Sequence, residues 1–354
     1  MCLFYNKMNL ELVIVTGTSS GLGRKAALAL LGSEEYHVIG AVRDINKMEA
    51  VAEIDGFDLK HFTPMECEMN SFESVRDFCT AVDEFRLDKP LDRLICNAGV
   101  YQPSLDYAKW SEDNHEQTMQ INFLSHFLMI LKVMPAMMDS TDPRVIMVGS
   151  VTGNDNTVGG GGVYPIADLH NLDGFEKSFT NPIPMANGYG FIGAKAYKDS
   201  KLSLMMIANY LHYKYHKLTG VAFSSLYPGC IAESPLFREK RAWFRTYFPT
   251  FMKFITGTSS CTYYANLNNN VAESTNIWCF TVLLCFVMVT NDFQKHNAET
   301  WILNYYLRRG YIISDVNFYD YYLFIVIKIT QQIETTSILL YFAHRIRFLV
   351  LIKN

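Results

Sequence analysis

The sequence predicts an α/β protein organised around a doubly wound parallel sheet, in a single domain with an atypical C-terminal tail. Three observations predict it. A short apolar run at 12–16 leads at once into Gly17, Thr18, Ser19, Ser20, Gly21, Leu22 and Gly23, and then into a helix-forming stretch at 24–31; that order reads strand, tight turn, helix. Short apolar runs and helical stretches then alternate to about residue 226, and repeated β-α-β order builds a parallel sheet with helices on both faces. Finally, a chain of 354 residues that is 49% hydrophobic and 19% charged is long enough for one large core with material left over.

The elements follow in order. After the first strand and helix, residues 37–42 read as a second strand, 59–65 as a weaker third and 91–96 as a fourth. Asn70 followed by Glu73 predicts a capping box opening a helix that runs toward Phe85. A helix is expected near 114–138, a strand at 144–148, a long helix at about 194–217 and a last strand at 222–226. Beyond that the punctuation changes: all 11 prolines lie at or before Pro249, and Gly310 is the only glycine after Gly257. An ordinary α/β domain marks its turns more densely, so the expected division is a domain over 10–256 and an atypical tail over 257–354. The apolar run at 277–289 is short for a membrane span and reads as a buried or interfacial segment.

A formal net charge of −4 and a pI near 6.1 argue against nucleic acid as a partner, because such binding needs a concentrated basic footprint. The eight cysteines include no C-x-x-C pair and no zinc-like spacing, which suits a reducing compartment. Residues 1–10 have neither the apolar core of a secretory signal nor the composition of a transit peptide.

The glycine turn predicts a dinucleotide site. Gly17, Gly21 and Gly23 let the backbone turn sharply and approach a pyrophosphate, with Ser19, Ser20 and Leu22 beside it and the next helix N-terminus supplying N–H donors. Where an NAD enzyme usually places an acidic residue on the ribose hydroxyl, this chain has Arg43, with Lys47 one helical turn later. Positive charge there suits a 2′-phosphate, so NADPH is the expected cofactor. Asn97, Ala98 and Gly99 after the fourth strand would let the chain pass close to the adenine ribose.

Tyr197 and Lys201 stand at i and i+4, on one face of the expected long helix. A phenol with a reference pKa of about 10 is a poor acid–base group near neutrality, and an adjacent ammonium favours its phenolate. Lys195 and Lys198 fall at other spacings and are expected to be solvated.

Together with Asn122, Ser150, and Tyr227-Pro228-Gly229, these residues resemble the ordered signature of the short-chain dehydrogenase/reductases, whose sheet is a Rossmann fold. Three stretches, VGSVTGN at 148–154, GAKAYKDSK at 193–201 and SLYPGCIA at 225–232 running on to Leu236, Phe237, Arg238 and Glu239, are similar to the light-dependent protochlorophyllide oxidoreductases. The long segment between Ser150 and Tyr197 fits a cover over a bulky flat substrate. The resemblance implies that Tyr197 is the proton donor, that Lys201 tunes it and binds ribose, and that Asn122 holds a water in the relay. Ser150 or Thr152 would bond near the reacting centre, Cys230 would position pigment or carry a proton, and Pro228 and Gly229 would border the nicotinamide. It further implies NADPH-dependent, light-driven reduction of the C17–C18 double bond of protochlorophyllide, and a plastid location.

Glu233 stands where many relatives have a threonine. Past Thr256 the family's closing helix, last strand and aromatic C-terminus are not recognisable, so translated intron or frameshifted sequence is the expectation for the tail. Between Leu236 and Phe254, aromatic residues interleave with Arg238, Lys240, Arg241, Arg245 and Lys253, a pattern that suits a pigment lid, a peripheral membrane contact or a solvated helix packed on the core. A homo-oligomer is left open. The competing activities are an NADPH-dependent carbonyl or retinol-like alcohol dehydrogenase of the same superfamily, and a catalytically silent pigment-binding scaffold.

Overall fold

The computed structural model describes residues 10–154, 160–170, 172, 174, 184–228, 235–238 and 242–256. The expectations for Gly229, Cys230 and Glu233, and for the tail at 257–354, lie outside the described residues.

Six parallel strands form one sheet in the order β3-β2-β1-β4-β5-β6. They are β1 (Glu11–Thr16), β2 (Tyr36–Val42), β3 (Phe62–Glu66), β4 (Arg93–Cys96), β5 (Arg144–Val148) and β6 (Ala222–Leu226). The helices are α1 (Gly21–Gly32), α2 (Ile45–Asp55), α3 (Phe72–Arg86), α4 (Ser125–Met137), α5 (Gly193–Thr219) and α6 (Ala242–Thr256). Such an order reverses between β1 and β4, and a crevice opens there at the carboxyl ends of the strands.

The sheet is covered on both faces, so its strands are apolar on both. In β1, Leu12 and Ile14 join the cluster that includes Phe78, Phe123, Phe127 and Leu204, while Val13 and Val15 join the one that includes Ala26, Ala27, Leu30 and Met48. Truncating a fully buried member such as Phe127 to alanine would cost about 3–5 kcal/mol, transfer and cavity terms together.

Three element expectations are corrected. The third strand starts at Phe62, later than expected, because the Asp58 carboxylate accepts from Lys60 N at 3.0 Å and folds 58–61 into a turn. The capping box at Asn70 and Glu73 does not form. Ser71 is the residue before α3, Asp113 Oδ2 accepts from Phe72 N at 2.7 Å, and the Asn70 side chain instead accepts from Gln117 Nε2 at 3.2 Å. The helix expected from 114 begins at Gln117, because Asn114 has φ +62° and Glu116 caps the first turn by accepting from Thr118 N and Met119 N at 2.9 and 2.7 Å. A π turn, Gln120–Leu124, precedes α4 and carries Asn122. No helix of the described residues is long and apolar enough to cross a membrane.

Candidate active site

The turns that leave the strands meet in one cavity of about 870 Å³, lined by residues following all six: Gly17, Arg43, Cys67, Asn97, Gly149 and Tyr227 mark the strand ends in sequence order. Of the expected cofactor residues, Gly17, Ser19, Ser20, Gly21, Leu22, Arg43, Lys47, Asn97, Ala98, Gly99, Tyr197, Lys201 and Pro228 all line it. Gly23 is not among them. A Cβ at Gly23 would stand 2.4 Å from both Asn97 Nδ2 and the Gly17 carbonyl, so this glycine lets α1 pack under the turn. Gly17 has φ +75°, and a Cβ there would meet Ala98 Cα at 3.1 Å. Both glycines are thus required by the packing of the turn against α1 and against the residues after β4.

At the far end of the cavity the Arg43 side chain is exposed, 3.7 Å from the Glu68 carboxylate. Asp44, beside it, is committed elsewhere: its Oδ1 accepts from Lys47 N at 2.9 Å and caps α2. Arg43 and Lys47 thus bring two cations to this part of the cavity, with the carboxylates of Asp44 and Glu68 beside them.

Thr16, Asn97 and Ala98 form the floor. Asn97 N and Ala98 N each donate to Thr16 Oγ1 at 2.8 Å, and Asn97 Nδ2 donates to the Thr16 carbonyl at 2.9 Å. The end of β1 and the turn after β4 are locked together across the switch point.

At the other end stand the phenol and the ammonium. Tyr197 is 7% and Lys201 4% exposed, and Lys201 Nζ lies 5.9 Å from the centre of the Tyr197 ring while donating to the Val148 carbonyl at 2.7 Å. Burial pulls the Lys201 ammonium down to about 8. Ser150 and Thr152 also line the cavity and bond each other, Oγ to Oγ1, at 2.9 Å. Aromatic side chains close the site on the outside: Tyr101 packs on Tyr197 with ring centres 4.8 Å apart, and on Phe237 at 6.3 Å.

Asn122 is fully buried and does not line the cavity. Its Oδ1 accepts from Val100 N at 2.8 Å, and its Nδ2 donates to Val100 O and Ser200 Oγ, both at 3.0 Å. With both amide hydrogens spent inside the protein, the expected relay water would depend on its carbonyl oxygens.

The expectation that Lys195 and Lys198 are solvated is corrected: both are buried. Lys195 Nζ donates to the Asp168 carbonyl at 2.6 Å and pairs with Asp199, while Lys198 Nζ donates to Gly160 O and Val163 O at 3.0 and 2.7 Å. The segment between β5 and α5 folds back over that helix and supplies carbonyl oxygens where solvent was expected. Sequence reasoning also missed His126 and Tyr101. The spacing of His126 four residues after Asn122 was the available signal, since it puts the two on one helical face.

The helix α6 leaves Trp243, Tyr247, Phe251 and Phe254 exposed together with Arg245 and Lys253, and Phe248 meets Phe237 at 5.7 Å. Of the three uses weighed for the 236–254 stretch, that contact ties its helix to the aromatic wall of the cavity.

The model of the short chain dehydrogenase family matches residues 11–167. The chain is 42% identical over 249 residues to the chloroplastic protochlorophyllide reductase of Chlamydomonas reinhardtii and 44% identical over 249 residues to the chloroplastic protochlorophyllide reductase A of Arabidopsis thaliana. These matches take in 70% and 69% of this chain but span only 62% and 60% of those relatives. With the protochlorophyllide reductase of Avena sativa the identity is 43% over 250 residues, 69% of this chain and 79% of that protein. Two solved structures share the fold at 18% identity: a short-chain dehydrogenase/reductase of Caenorhabditis elegans with cofactor, TM-score 0.53 over 74% of this chain and 87% of that one, and the Pseudomonas aeruginosa RhlG/NADP active-site complex, TM-score 0.52 over 78% and 89%. The six-stranded parallel sheet agrees with these likenesses, and the chain belongs to the protochlorophyllide reductase family of short-chain dehydrogenases.

Proposed function

We propose that this chain reduces protochlorophyllide to chlorophyllide in a light-driven, NADPH-dependent reaction, in the plastid, as the names of its relatives suggest. The observation that carries the reading is the single cavity that joins a glycine-cradled, basic-tipped half to a half walled by Tyr197, Tyr101 and Phe237. The first half fits a dinucleotide. Gly17, Ser19, Ser20, Gly21 and Leu22 would hold the pyrophosphate at the N-terminus of α1, Arg43 and Lys47 the 2′-phosphate, and Asn97, Ala98 and Gly99 the adenine ribose. Tyr197, Lys201, Pro228 and Gly229 would hold the nicotinamide ribose and ring. When bound, NADPH supplies the hydride.

The chain's own part is orientation, a dry pocket and a proton. With a hydride added at C17, the Tyr197 phenol, or water, would give a proton to C18, so that the double bond gains two electrons and two hydrogens in all. Lys201 steadies the resulting phenolate. Ser150 and Thr152, bonded to each other, present one hydroxyl pair beside the reacting centre, and Cys230 is assigned to pigment placement by resemblance. Asn122 sets the turn after β4 against α5 and would hold the relay water through a carbonyl oxygen. These roles, like the division into a catalytic domain at 10–256 and an atypical tail at 257–354, are part of the proposal.

The test mixes the full chain with NADPH and protochlorophyllide, keeps half dark, illuminates half and follows pigment absorption. Product only in the light supports the proposal. Dark reduction of an added carbonyl compound would favour a carbonyl reductase, and binding without turnover a silent scaffold. With turnover established, Tyr197→Phe should slow it by about 10²–10⁴-fold, the usual contribution of a positioned proton donor, a far larger loss than the one in NADPH affinity from the missing ribose contact.

A further inference from the structure

His126 lies four residues past Asn122 with none of its surface exposed, against a core of phenylalanine, leucine and methionine. An imidazole in such a place costs free energy unless both nitrogens find partners. Both do. Nδ1 is 3.1 Å from the Asn122 carbonyl and Nε2 is 2.9 Å from Thr16 Oγ1.

These contacts set the protons of this network, with the Ile95 carbonyl, 3.4 Å from Thr16 Oγ1, as the more distant alternative acceptor for the hydroxyl. A carbonyl can only accept, so Nδ1 carries the hydrogen and donates to Asn122 O. Nε2 then has a lone pair, and the Thr16 hydroxyl donates to it. With that proton committed, both lone pairs of Thr16 Oγ1 are left for the two amides at 2.8 Å, those of Asn97 and Ala98. An imidazolium, or the other neutral tautomer, would aim a third donor at the same oxygen. Burial holds the ring neutral, with its pKa down at about 3.

We propose that His126 is a positioning residue for the dinucleotide site, directing the Thr16 hydroxyl so that β1 and the turn after β4 are clamped together and tied to the π turn of Asn122. The chain of bonds runs from the floor beneath Gly17 through His126 to Asn122, and from Asn122 to Ser200, the neighbour of Lys201. Loss of the imidazole leaves the Thr16 hydroxyl only the Ile95 carbonyl, 3.4 Å away, so the hydroxyl turns and shifts the two amides that support Ala98 against Gly17. The inference rests on the proposed use of this cavity for NADPH.

The test measures NADPH affinity of the full chain in the dark, without pigment, by nicotinamide fluorescence. His126→Phe keeps the bulk and removes both bonds, and should weaken NADPH about tenfold, the scale of one lost buried hydrogen bond. Glutamine can place an acceptor oxygen near Thr16, so His126→Gln should recover most of that loss. In the unaltered protein, ¹⁵N resonances of His126 should show a protonated Nδ1 and a bare Nε2. An Nε2-protonated ring, or a phenylalanine variant that binds NADPH as tightly as the unaltered chain, overturns this inference alone; failure of the unaltered chain to bind NADPH overturns the proposed function with it. The NMR measurement decides even where a variant does not fold.

Discussion

Lys198 Nζ donates to the Val163 carbonyl at 2.7 Å, from the residue immediately after the Tyr197 phenol. It also donates to Gly160 O at 3.0 Å and lines the cavity, so one ammonium holds the segment between β5 and α5 against the reacting end of the site. Hydrogen bonds from a charged donor are worth about 1.5–3 kcal/mol each. Lys198→Met is therefore expected to weaken protochlorophyllide binding about tenfold or more while NADPH affinity stays within about twofold. Pigment and NADPH titrations, read separately, check this; equal losses of both would show that Lys198 acts on the whole fold.

The buried Lys201 gives the reaction a pH limb. Its ammonium is held down at about 8 by burial, so it is charged below that pH and neutral above it. Turnover that needs the ammonium beside Tyr197 should fall as pH rises through about 8. Lys201→Arg keeps its charge to a pH above about 12, and should lose the limb even at a lower rate. Initial photoreduction rates across roughly pH 6 to 10 decide it, and a profile without a decline near 8 would detach the ammonium from the chemistry.

The proposed preference for NADPH rests on Arg43 and Lys47. Arg43 is exposed and 3.7 Å from the Glu68 carboxylate, so a 2′-phosphate held by Arg43 and Lys47 would compete with Glu68 for the guanidinium. The double variant Arg43→Ala, Lys47→Ala should lose about tenfold or more in NADPH affinity and little in NADH affinity, since only the phosphate contacts are removed. Parallel titrations with the two nucleotides measure the ratio. If both affinities fall together, the basic pair does not read the phosphate.

Glu116 should make stability pH-dependent. Its carboxyl is 4% exposed and burial raises its pKa from about 4.5 to about 7, while the N–H groups of Thr118 and Met119, which favour the charged form, recover only part of that shift. The folded pKa is the higher one, so its contribution is fully present below about 4.5 and is lost as pH rises to about 7. The size is on the order of 3 kcal/mol, at about 1.36 kcal/mol per unit. Asp199 is raised by burial in the same direction, so the native chain carries both slopes. Glu116→Gln should flatten the decline between those pH values, as read from denaturant midpoints, and an unchanged slope would mean that the carboxyl ionises freely when folded.

Much of the site was legible because its chemistry is local in sequence. The glycine turn, the i, i+4 phenol and ammonium, and the residues that end each strand are set by backbone geometry within a few positions. The parallel sheet followed from the same local signals, and the strands at 144–148 and 222–226 fall where the pattern put them. Caps and strand starts were less legible. At the start of α3 the acceptor for Phe72 N is Asp113, on a loop far along the chain, and Ser71 makes no side-chain cap, while Glu116 caps its own turn although glutamate is not among the usual cap residues.

The sequence by itself determined the α/β class, the glycine turn after the first strand, and the placing of Tyr197 and Lys201 on one face of a helix. Only the tertiary structure decided which polar groups are buried and what satisfies them: Lys195 and Lys198 lie under a returning segment, Asn122 spends its amide inside the protein, and His126 closes a chain from Thr16. The physical reason is that a polar side chain is tolerated in a core only through partners far away along the chain, and no local period encodes where those partners will arrive.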